Sequence, residues 1–247
     1  MLRIAWIVLL VLACRVQPAD HLRQGLPSRE DVLLEYKGFA LGYRERDEQA
    51  AWVSYCLTKA ELRAAKTKRS EDFRRDLAVP TGSATLEDYK GSGYDRGHLA
   101  PAADMAFHAQ AMSESFLLSN MSPQHKSFNR GVWSKLEEQV REFARQRGRV
   151  WVVTGPVLDQ PLEHVGPSQV SVPRAYYKVL YAPKPRPAML GFLLPNAASS
   201  VPLQHFVVSV DSVEALTGLD FFAKLPDAQE RRLEASRRPL DWQLPAE

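Results

Sequence analysis

The stretch from Tyr94 to Pro101 contains an arginine and a histidine separated by one glycine, Arg96-Gly-His98. A guanidinium can bind an anion through two parallel hydrogen bonds. An imidazole with an ordinary pKa of about 6.5 can accept a proton from water at physiological pH. The glycine permits tight backbone geometry or close approach of another group. These residue types suit deprotonation of a water beside a bound phosphate; the alternative is a surface arginine next to a structural histidine.

A second set of polar residues, Asn129, Glu137 and Arg141, recurs at spacings of eight and four. At about 3.6 residues per turn, the three span about 120° of a helix, starting beside its apolar face. We therefore expect them to line the floor of a cleft. A simpler interpretation is an ion pair between Glu137 and Arg141, worth about a few tenths of a kcal/mol. The two interpretations are compatible.

The amide oxygen of Asn129 is a neutral, hard donor of the kind that suits Mg²⁺. A single amide binds such an ion weakly unless a substrate phosphate completes the coordination. Zinc is not indicated, because the other histidines are scattered along the chain and Cys56 has no neighbouring ligand.

Hydrophobic periodicity predicts the elements that must position these residues. Residues 131–147 form the clearest helix, with one apolar face and with Gly148 placed to end it. No repeat or compositional break divides the chain, so we predict one α+β domain with a central antiparallel β-sheet and flanking helices. Strand-like runs are predicted at 32–44, 51–58, 149–154, 175–182, 188–194 and 205–210, and a short helix at 211–219.

The composition is that of a globular protein with its own core. Of 247 residues, 45% are hydrophobic and 25% are charged. These values exclude a disordered chain, a collagen-like chain and a small disulfide-stabilised protein. The formal charge of +3 is too small to indicate a nucleic-acid partner by bulk electrostatics. Such a partner must be argued from a local site.

The N-terminus has a short basic segment followed by the apolar run 4–13. This run is too short for a transmembrane helix and is typical of a signal peptide, which we place at residues 1–19. Val11-Leu-Ala-Cys14 also has the form of a lipoprotein cleavage site, so membrane attachment through a lipidated Cys14 is the alternative. We expect an exported protein, secreted or periplasmic. A mitochondrial location is less favoured, because the leader is not an Arg-rich amphipathic transit peptide.

Removal or lipidation of Cys14 leaves Cys56 without a disulfide partner, and its strand-like surroundings predict a small buried hydrophobe. The rest of the chain divides into a linker at 20–31, a folded domain at 32–226 and a peripheral C-terminal tail at 227–247.

The ordered motifs of this chain resemble those of the DNA/RNA non-specific endonuclease family. The resemblance rests first on Asp95-Arg-Gly-His98 and the Leu-Ala-Pro-Ala-Ala-Asp-Met that follows it, and it extends over about residues 32–226. It implies a ββα-metal active-site motif within the predicted α+β fold. The further matching segments are 119–124, 128–137 with Arg141, 151–155, 172–179, 192–196 and 216–222.

The resemblance implies a role for each candidate residue. His98 is the general base, and Arg96 and Arg141 bind the phosphate and stabilise its developing charge. Asn129 is the one direct protein ligand of a hydrated Mg²⁺, with Mn²⁺ as the alternative ion. Glu137 holds the same ion through a water.

Other residues are implied to support the site or bind substrate. Asn120 belongs to this group, and so does one arginine upstream of the motif, for which Arg74 is preferred to Arg69 and Arg75. The implied function is endonucleolytic hydrolysis of DNA and RNA to 5′-phosphate and 3′-hydroxyl ends. The alternatives are a nuclease restricted to DNA or RNA, an exonuclease and a catalytically silent nucleic-acid-binding module; a homodimer is left open.

Overall fold

An antiparallel sheet forms the centre of the structure, a computed structural model that describes residues 20–158 and 162–244. In chain order the strands of these ranges are β1 (Val32–Glu35), β2 (Ala40–Arg44), β3 (Gln49–Thr58), β4 (Tyr94–His98), β5 (Met121–His125), β6 (Arg149–Pro156), β7 (Glu163–Val165), β8 (Val170–Val172), β9 (Ala175–Ala182), β10 (Ala188–Pro195) and β11 (Val207–Val208). Seven of them build the main sheet in the order β1-β2-β3-β6-β9-β10-β11. The α+β class and the central antiparallel sheet are confirmed.

Helices flank this sheet, as predicted. They are α1 (Lys59–Ala64), α2 (Leu86–Tyr89), α3 (Ala109–Glu114), α4 (Ser134–Arg147), α5 (Val210–Thr217) and α6 (Asp227–Glu234). The predicted helix at 131–147 begins in a π-helical turn, Phe128–Trp133, and continues as α4. Gly148, at φ 82°, ends α4 because this left-handed backbone suits a residue without a Cβ. No helix in the described ranges has the length and apolarity to cross a membrane.

The two faces of the sheet pack against separate hydrophobic clusters. Along β9, Tyr176 and Leu180 join the cluster that includes α4, while Tyr177 and Val179 join the cluster on the opposite face. This alternation follows from the two-residue period of a strand. It places Lys178 on the α4 face, beneath the segment that includes Asn129 and Glu137.

Cys56 is a partly buried, unpaired thiol that packs against the second cluster. Burial raises the pKa of this thiol to about 12, so it stays protonated and behaves as the expected small hydrophobe.

A separate two-stranded sheet leads into the candidate site. β4 pairs antiparallel with β5, and the π-helical turn and α4 follow β5 in the chain. The succession of two strands and a helix is the ββα arrangement that the family resemblance implies.

The segment predicted as a linker, 20–31, instead lies against the sheet. Ser54 Oγ donates to the carbonyl of His21 at 2.6 Å, and Trp52 Nε1 donates to Ser28 Oγ at 3.1 Å. Polar composition suggested a free segment, but these polar groups satisfy buried donors of β3.

The C-terminal residues are also more than a peripheral tail. Leu233 of α6 and Trp242 are both buried, and the Trp242 ring meets Phe143 of α4 edge-on at a centroid distance of 5.1 Å. The run at 205–210 is mostly not a strand: a 3₁₀ turn, Leu203–Phe206, leaves only two paired residues in β11.

Candidate active site

The β4–β5 hairpin positions the histidine. His98 pairs with Met121 and Gly97 with Ser122. A Cβ at Gly97 would overlap the side chain of Gln124, so the glycine is required for close packing against β5. The hairpin thereby fixes the backbone that presents Arg96 and His98.

Asn120 braces the backbone immediately after His98. Its amide donates to the carbonyls of Ala100 at 3.0 Å and Ser115 at 2.8 Å, and its oxygen accepts from the Ala100 N–H at 2.9 Å. The side chain is fully buried, with its donors and acceptor used internally. The supporting role expected for Asn120 fits this geometry, and the internal hydrogen bonds leave the predicted contact with substrate to Arg96 and Arg141.

One cavity of about 330 Å³ brings the other predicted residues together. They come from two segments that are separate in the sequence: β4, and the π-helical turn that continues into α4. The residues that line the cavity are Arg69, Arg96, His98, Pro101, Ala102, Ala103, Asn129, Arg130, Ser134, Glu137 and Arg141.

The His98 imidazole lies between two aromatic rings. Its centroid is 5.7 Å from that of Phe73 and 4.8 Å from that of Phe116, both in edge-on contacts. The guanidinium of Arg96 stacks over Phe73 at 4.3 Å, and that of Arg69 over Phe116 at 4.8 Å. Phe73 and Phe116 therefore each contact both the imidazole and one guanidinium, and they hold His98, Arg96 and Arg69 at the same cavity.

Burial, with the positive charges of Arg69 and Arg96, lowers the pKa of His98 to about 3. The imidazole is therefore neutral at physiological pH. Its Nε2 is buried and has no hydrogen-bond partner among the described residues. A neutral ring with a free nitrogen is equipped to receive a proton.

Asp95 orients the Asn129 amide. Asn129 Nδ2 donates to Asp95 Oδ2 at 3.0 Å, while Arg130 binds both oxygens of the same carboxylate at 2.8 Å. Because the amide nitrogen is used in this bond, the oxygen of Asn129 is the atom left to bind a cation. This neutral oxygen suits a hard divalent ion.

Glu137 and Arg141 project from successive turns of α4. Arg141 forms its ion pair with Asp104 rather than with Glu137, the partner expected from the simpler interpretation of the spacing. Arg141 Nη1 donates to Asp104 Oδ1 at 3.0 Å, and the Asp104 side chain is fully buried. Burial, with repulsion from Asp104, raises the pKa of Glu137 to about 7, against the opposing effects of Lys178 and Arg141.

Lys178 is a buried cation beneath Glu137 and Asp104. Its Nζ donates to Thr154 Oγ1 at 3.1 Å and lies 4.6 Å from the ring centroid of Trp133, in the π-helical turn. Burial lowers the pKa of Lys178 to about 8, while Glu137 and Asp104 act to raise it. The ammonium stabilises the negative charges of the two carboxylates.

Sequence reasoning missed Asp104 and Lys178. A single lysine in the apolar strand β9 was a visible signal, because a buried cation needs a partner. Asp104 falls inside the recognised motif, but its spacing alone did not show that it pairs with Arg141.

Of the upstream arginines, Arg69 rather than the preferred Arg74 lies at the cavity. Arg74 Nη1 binds the side chain and carbonyl of Asp72 at 2.8 and 3.1 Å and the carbonyl of Ser113 at 3.0 Å. Arg74 does not line the cavity, whereas Arg69 does.

With this geometry in place, comparison with known proteins decides the family. The model of the DNA/RNA non-specific endonuclease family matches residues 17–228. The chain belongs to this family. It is a nuclease with a non-specific DNA/RNA endonuclease fold and function, and divalent-metal dependence is general in the family.

Individual relatives agree with this assignment. A nuclease of Syncephalastrum racemosum is 37% identical, over 84% of this chain and 72% of the relative. Human mitochondrial endonuclease G is 35% identical, over 81% of this chain and 72% of the relative. The solved EndoG/EndoGI complex gives a TM-score of 0.78 at 31% identity, covering 85% of this chain and 92% of that chain.

The expectation of export is wrong. Zebrafish (Danio rerio) EXOG, 35% identical over 84% of this chain and 65% of the relative, is named mitochondrial, as is human endonuclease G. These names contradict the secreted, periplasmic or lipid-anchored location inferred from the apolar leader. The predicted signal peptide at 1–19 and the predicted lipidation of Cys14 lie outside the described residues.

Proposed function

We propose that this nuclease uses Mg²⁺ to hydrolyse phosphodiester bonds within DNA and RNA, leaving 5′-phosphate and 3′-hydroxyl ends. The observation that supports this most directly is the cavity in which His98, Asn129, Glu137 and two arginines, Arg96 and Arg141, converge. A neutral base, a hard oxygen donor and phosphate-binding cations are the groups that this reaction needs.

The donor set fits a hydrated Mg²⁺. The Asn129 oxygen serves as the direct protein ligand, because Asp95 occupies the amide nitrogen. Glu137 would hold the ion through a water, with further waters and substrate phosphate as the other ligands that Mg²⁺ favours. A bound divalent ion would supply positive charge that stabilises the negative charge growing on the phosphate. Mn²⁺ has related ligand preferences and is the alternative ion.

The protein's own residues perform the remaining chemistry. His98 Nε2 accepts a proton from a water as the water oxygen bonds to phosphorus. The bond from phosphorus to the 3′ oxygen breaks in line, and the leaving oxygen takes a proton from solvent to become the 3′-hydroxyl. Arg96 and Arg141 donate to phosphate oxygens and stabilise the growing negative charge. Arg69 lines the same cavity and replaces Arg74 as the upstream arginine that contacts phosphate.

These groups address the phosphate and the ion, and phosphate contacts contain no sequence information. A site of this kind cleaves with little preference for base. Binding to the phosphate backbone weakens as salt rises, because counterions compete with the arginines.

A nuclease assay with Mg²⁺ and with EDTA tests this proposal on circular DNA, linear DNA and RNA. We expect His98→Ala to reduce the rate by about 10²–10⁴-fold, the usual effect of losing a general base. The matched control is His164→Ala, since His164 is exposed on β7, away from the cavity.

Cleavage of circular DNA distinguishes an endonuclease from an exonuclease, and RNA cleavage distinguishes a broad from a restricted specificity. Unchanged turnover by a folded His98→Ala protein would contradict the role of His98. Absence of any Mg²⁺-dependent cleavage by the unmodified protein would support the catalytically silent alternative. Light scattering tests separately whether the protein forms a homodimer.

A further inference from the structure

A groove rich in arginine lies at the C-terminal end of α4, at the opposite end of the helix from Glu137. Two adjoining cavities of about 410 and 450 Å³ share Pro187, Ala188, Arg232, Arg238 and Asp241 among their lining residues. We call these joined cavities the arginine groove. The five arginines that line it are Arg147, Arg186, Arg232, Arg237 and Arg238.

Positive charge in the arginine groove is almost uncompensated. Four of its arginines are exposed, and among the described residues none of the five forms an ion pair with an acidic side chain. The acidic residue in its lining is Asp241. This concentration is unexpected in a chain whose formal charge is only +3. It indicates a site for an anion.

Arg147 fixes the walls of the groove rather than facing solvent. It donates to the carbonyls of Lys184 at 3.2 Å and Arg186 at 3.3 Å, and also to the carbonyl of Asp241. Its guanidinium stacks over Trp242 at 4.2 Å. The turn between β9 and β10 and the C-terminal segment are thereby tied to α4, which leaves the other four arginines as contacts for a ligand.

We propose that the arginine groove is a second binding site for the phosphate backbone of the nucleic-acid substrate. The inference rests on the proposed function, since it assigns the groove to the same substrate. Guanidinium groups match phosphate geometry and bind it with charge-assisted hydrogen bonds. The groove offers no aromatic or amide side chain among its lining residues for reading bases, so it adds affinity without adding sequence preference.

The position along α4 sets the length of substrate that can reach both sites. Glu137 and Arg147 are ten residues apart in one helix, which corresponds to about 15 Å at 1.5 Å per residue. Within a duplex, one strand advances about 3.4 Å per nucleotide, so about four or five nucleotides cover that distance. An extended single strand covers it with fewer, but a dinucleotide has one internal phosphate and cannot occupy both sites. On the surface between the two sites, the negative charge of Glu142 is paired with Arg145 at 3.2 Å, so it does not repel a bound strand. A substrate too short to cover the distance between the sites contacts only the active-site cavity.

The test compares an Arg232→Gln/Arg238→Gln variant of the full chain with the unmodified protein. Arg231→Gln is the matched control, because Arg231 is an exposed arginine of the same helix that does not line the groove. Steady-state kinetics use a dinucleotide, whose one internal phosphate cannot occupy both sites, and a single strand of about 30 nucleotides, which is longer than the distance between them.

With the long strand, we expect the double variant to show a KM about tenfold higher and an unchanged kcat. With the dinucleotide, we expect no change in KM or kcat. The slope of log affinity against log salt should fall by about 1.4 for the two lost contacts, at about 0.7 each for a single strand. Equal losses on both substrates, unchanged kinetics on the long strand, or the same loss in Arg231→Gln would overturn the proposal.

Binding of the long strand in EDTA, followed by fluorescence anisotropy, separates this inference from the proposed function. Weaker binding by the double variant supports the groove even if the protein proves unable to cleave. Normal cleavage together with unchanged binding refutes the groove and leaves the proposed function intact. If the double variant instead loses only binding to vesicles of anionic phospholipid, the ligand is a membrane surface and the proposal is wrong.

Discussion

The neutrality of His98 is the residue-scale property on which general-base chemistry depends. Burial and two nearby guanidinium groups lower its pKa to about 3, so the ring is unprotonated across the physiological range. We expect NMR of the metal-free protein to show no protonation of His98 between about pH 5 and 8, where an ordinary histidine titrates. Arg69→Ala should raise this pKa, and a His98 that titrates near 6.5 in the unmodified protein would contradict the assignment.

The Asn129 oxygen gives a second residue-scale prediction. Asn129→Ala removes the direct protein ligand while leaving Glu137 in place, so we expect a much higher Mg²⁺ concentration for half-maximal rate. Activity titrations with Mg²⁺ measure the effect. The control is Asn196→Ala, which removes an amide that bonds to the His125 N–H and the Pro123 carbonyl, outside the cavity. An unchanged metal titration in Asn129→Ala would refute the role.

Residues within one continuous motif were the easiest to predict. Arg96 and His98 are presented by one strand, and Glu137 and Arg141 by successive turns of α4, so spacing alone places each pair. Asn129 lies in the π-helical turn before α4, across the non-helical Gly131, and reaches the same cavity. Arg69 and Arg74 belong to a segment without periodicity between α1 and α2, where the side-chain direction depends on tertiary contacts. Lys178 could be seen as unusual, but its partners come from other elements.

At the scale of elements, α4 connects the active site to the C-terminal segment. Trp242 packs against Phe143 of this helix and against the guanidinium of Arg147, and only 1% of its surface is exposed. Composition could not predict this packing, because the segment around Trp242 is charged and only a few of its side chains are buried.

Loss of the packing of Trp242 against α4 should therefore destabilise the whole domain. We expect Trp242→Ala to lower the free energy of unfolding by about 3–5 kcal/mol, the usual cost of truncating a buried aromatic residue. Urea denaturation measures the change. Leu240→Ala is the control, because Leu240 is 67% exposed in the same segment. Equal stabilities for the two variants would restore the view of this region as a peripheral tail.

At the scale of the whole molecule, a small net charge conceals a strong separation of charge. The arginine groove lies on one side of α6. Near Glu234 of the same helix lie four other carboxylates, those of Asp211, Glu214, Asp220 and Glu230. Sequence composition gives only the sum of these charges. Their separation arises when α5 and α6 pack together, so it could not be predicted from the chain alone.

The carboxylates around Glu234 give the last prediction. Burial, with repulsion from the neighbouring acids, raises the pKa of Glu234 from 4.5 to about 8. A raised folded-state pKa means that folding takes up a proton: stability is fully present below about pH 4.5 and is lost as pH rises toward 8. We expect Glu234→Gln, which cannot ionise, to have a higher Tm than the unmodified protein at pH 8, with the difference disappearing near pH 4.5.

Thermal melts of both proteins across this pH range measure the difference in Tm. The titrations of His98 and Glu137 affect both proteins equally, so they cancel in this difference. Glu138→Gln, an exposed change on α4, should show no such trend. A Tm difference that stays constant with pH would mean that Glu234 has the same pKa in the folded and unfolded protein, which contradicts the prediction.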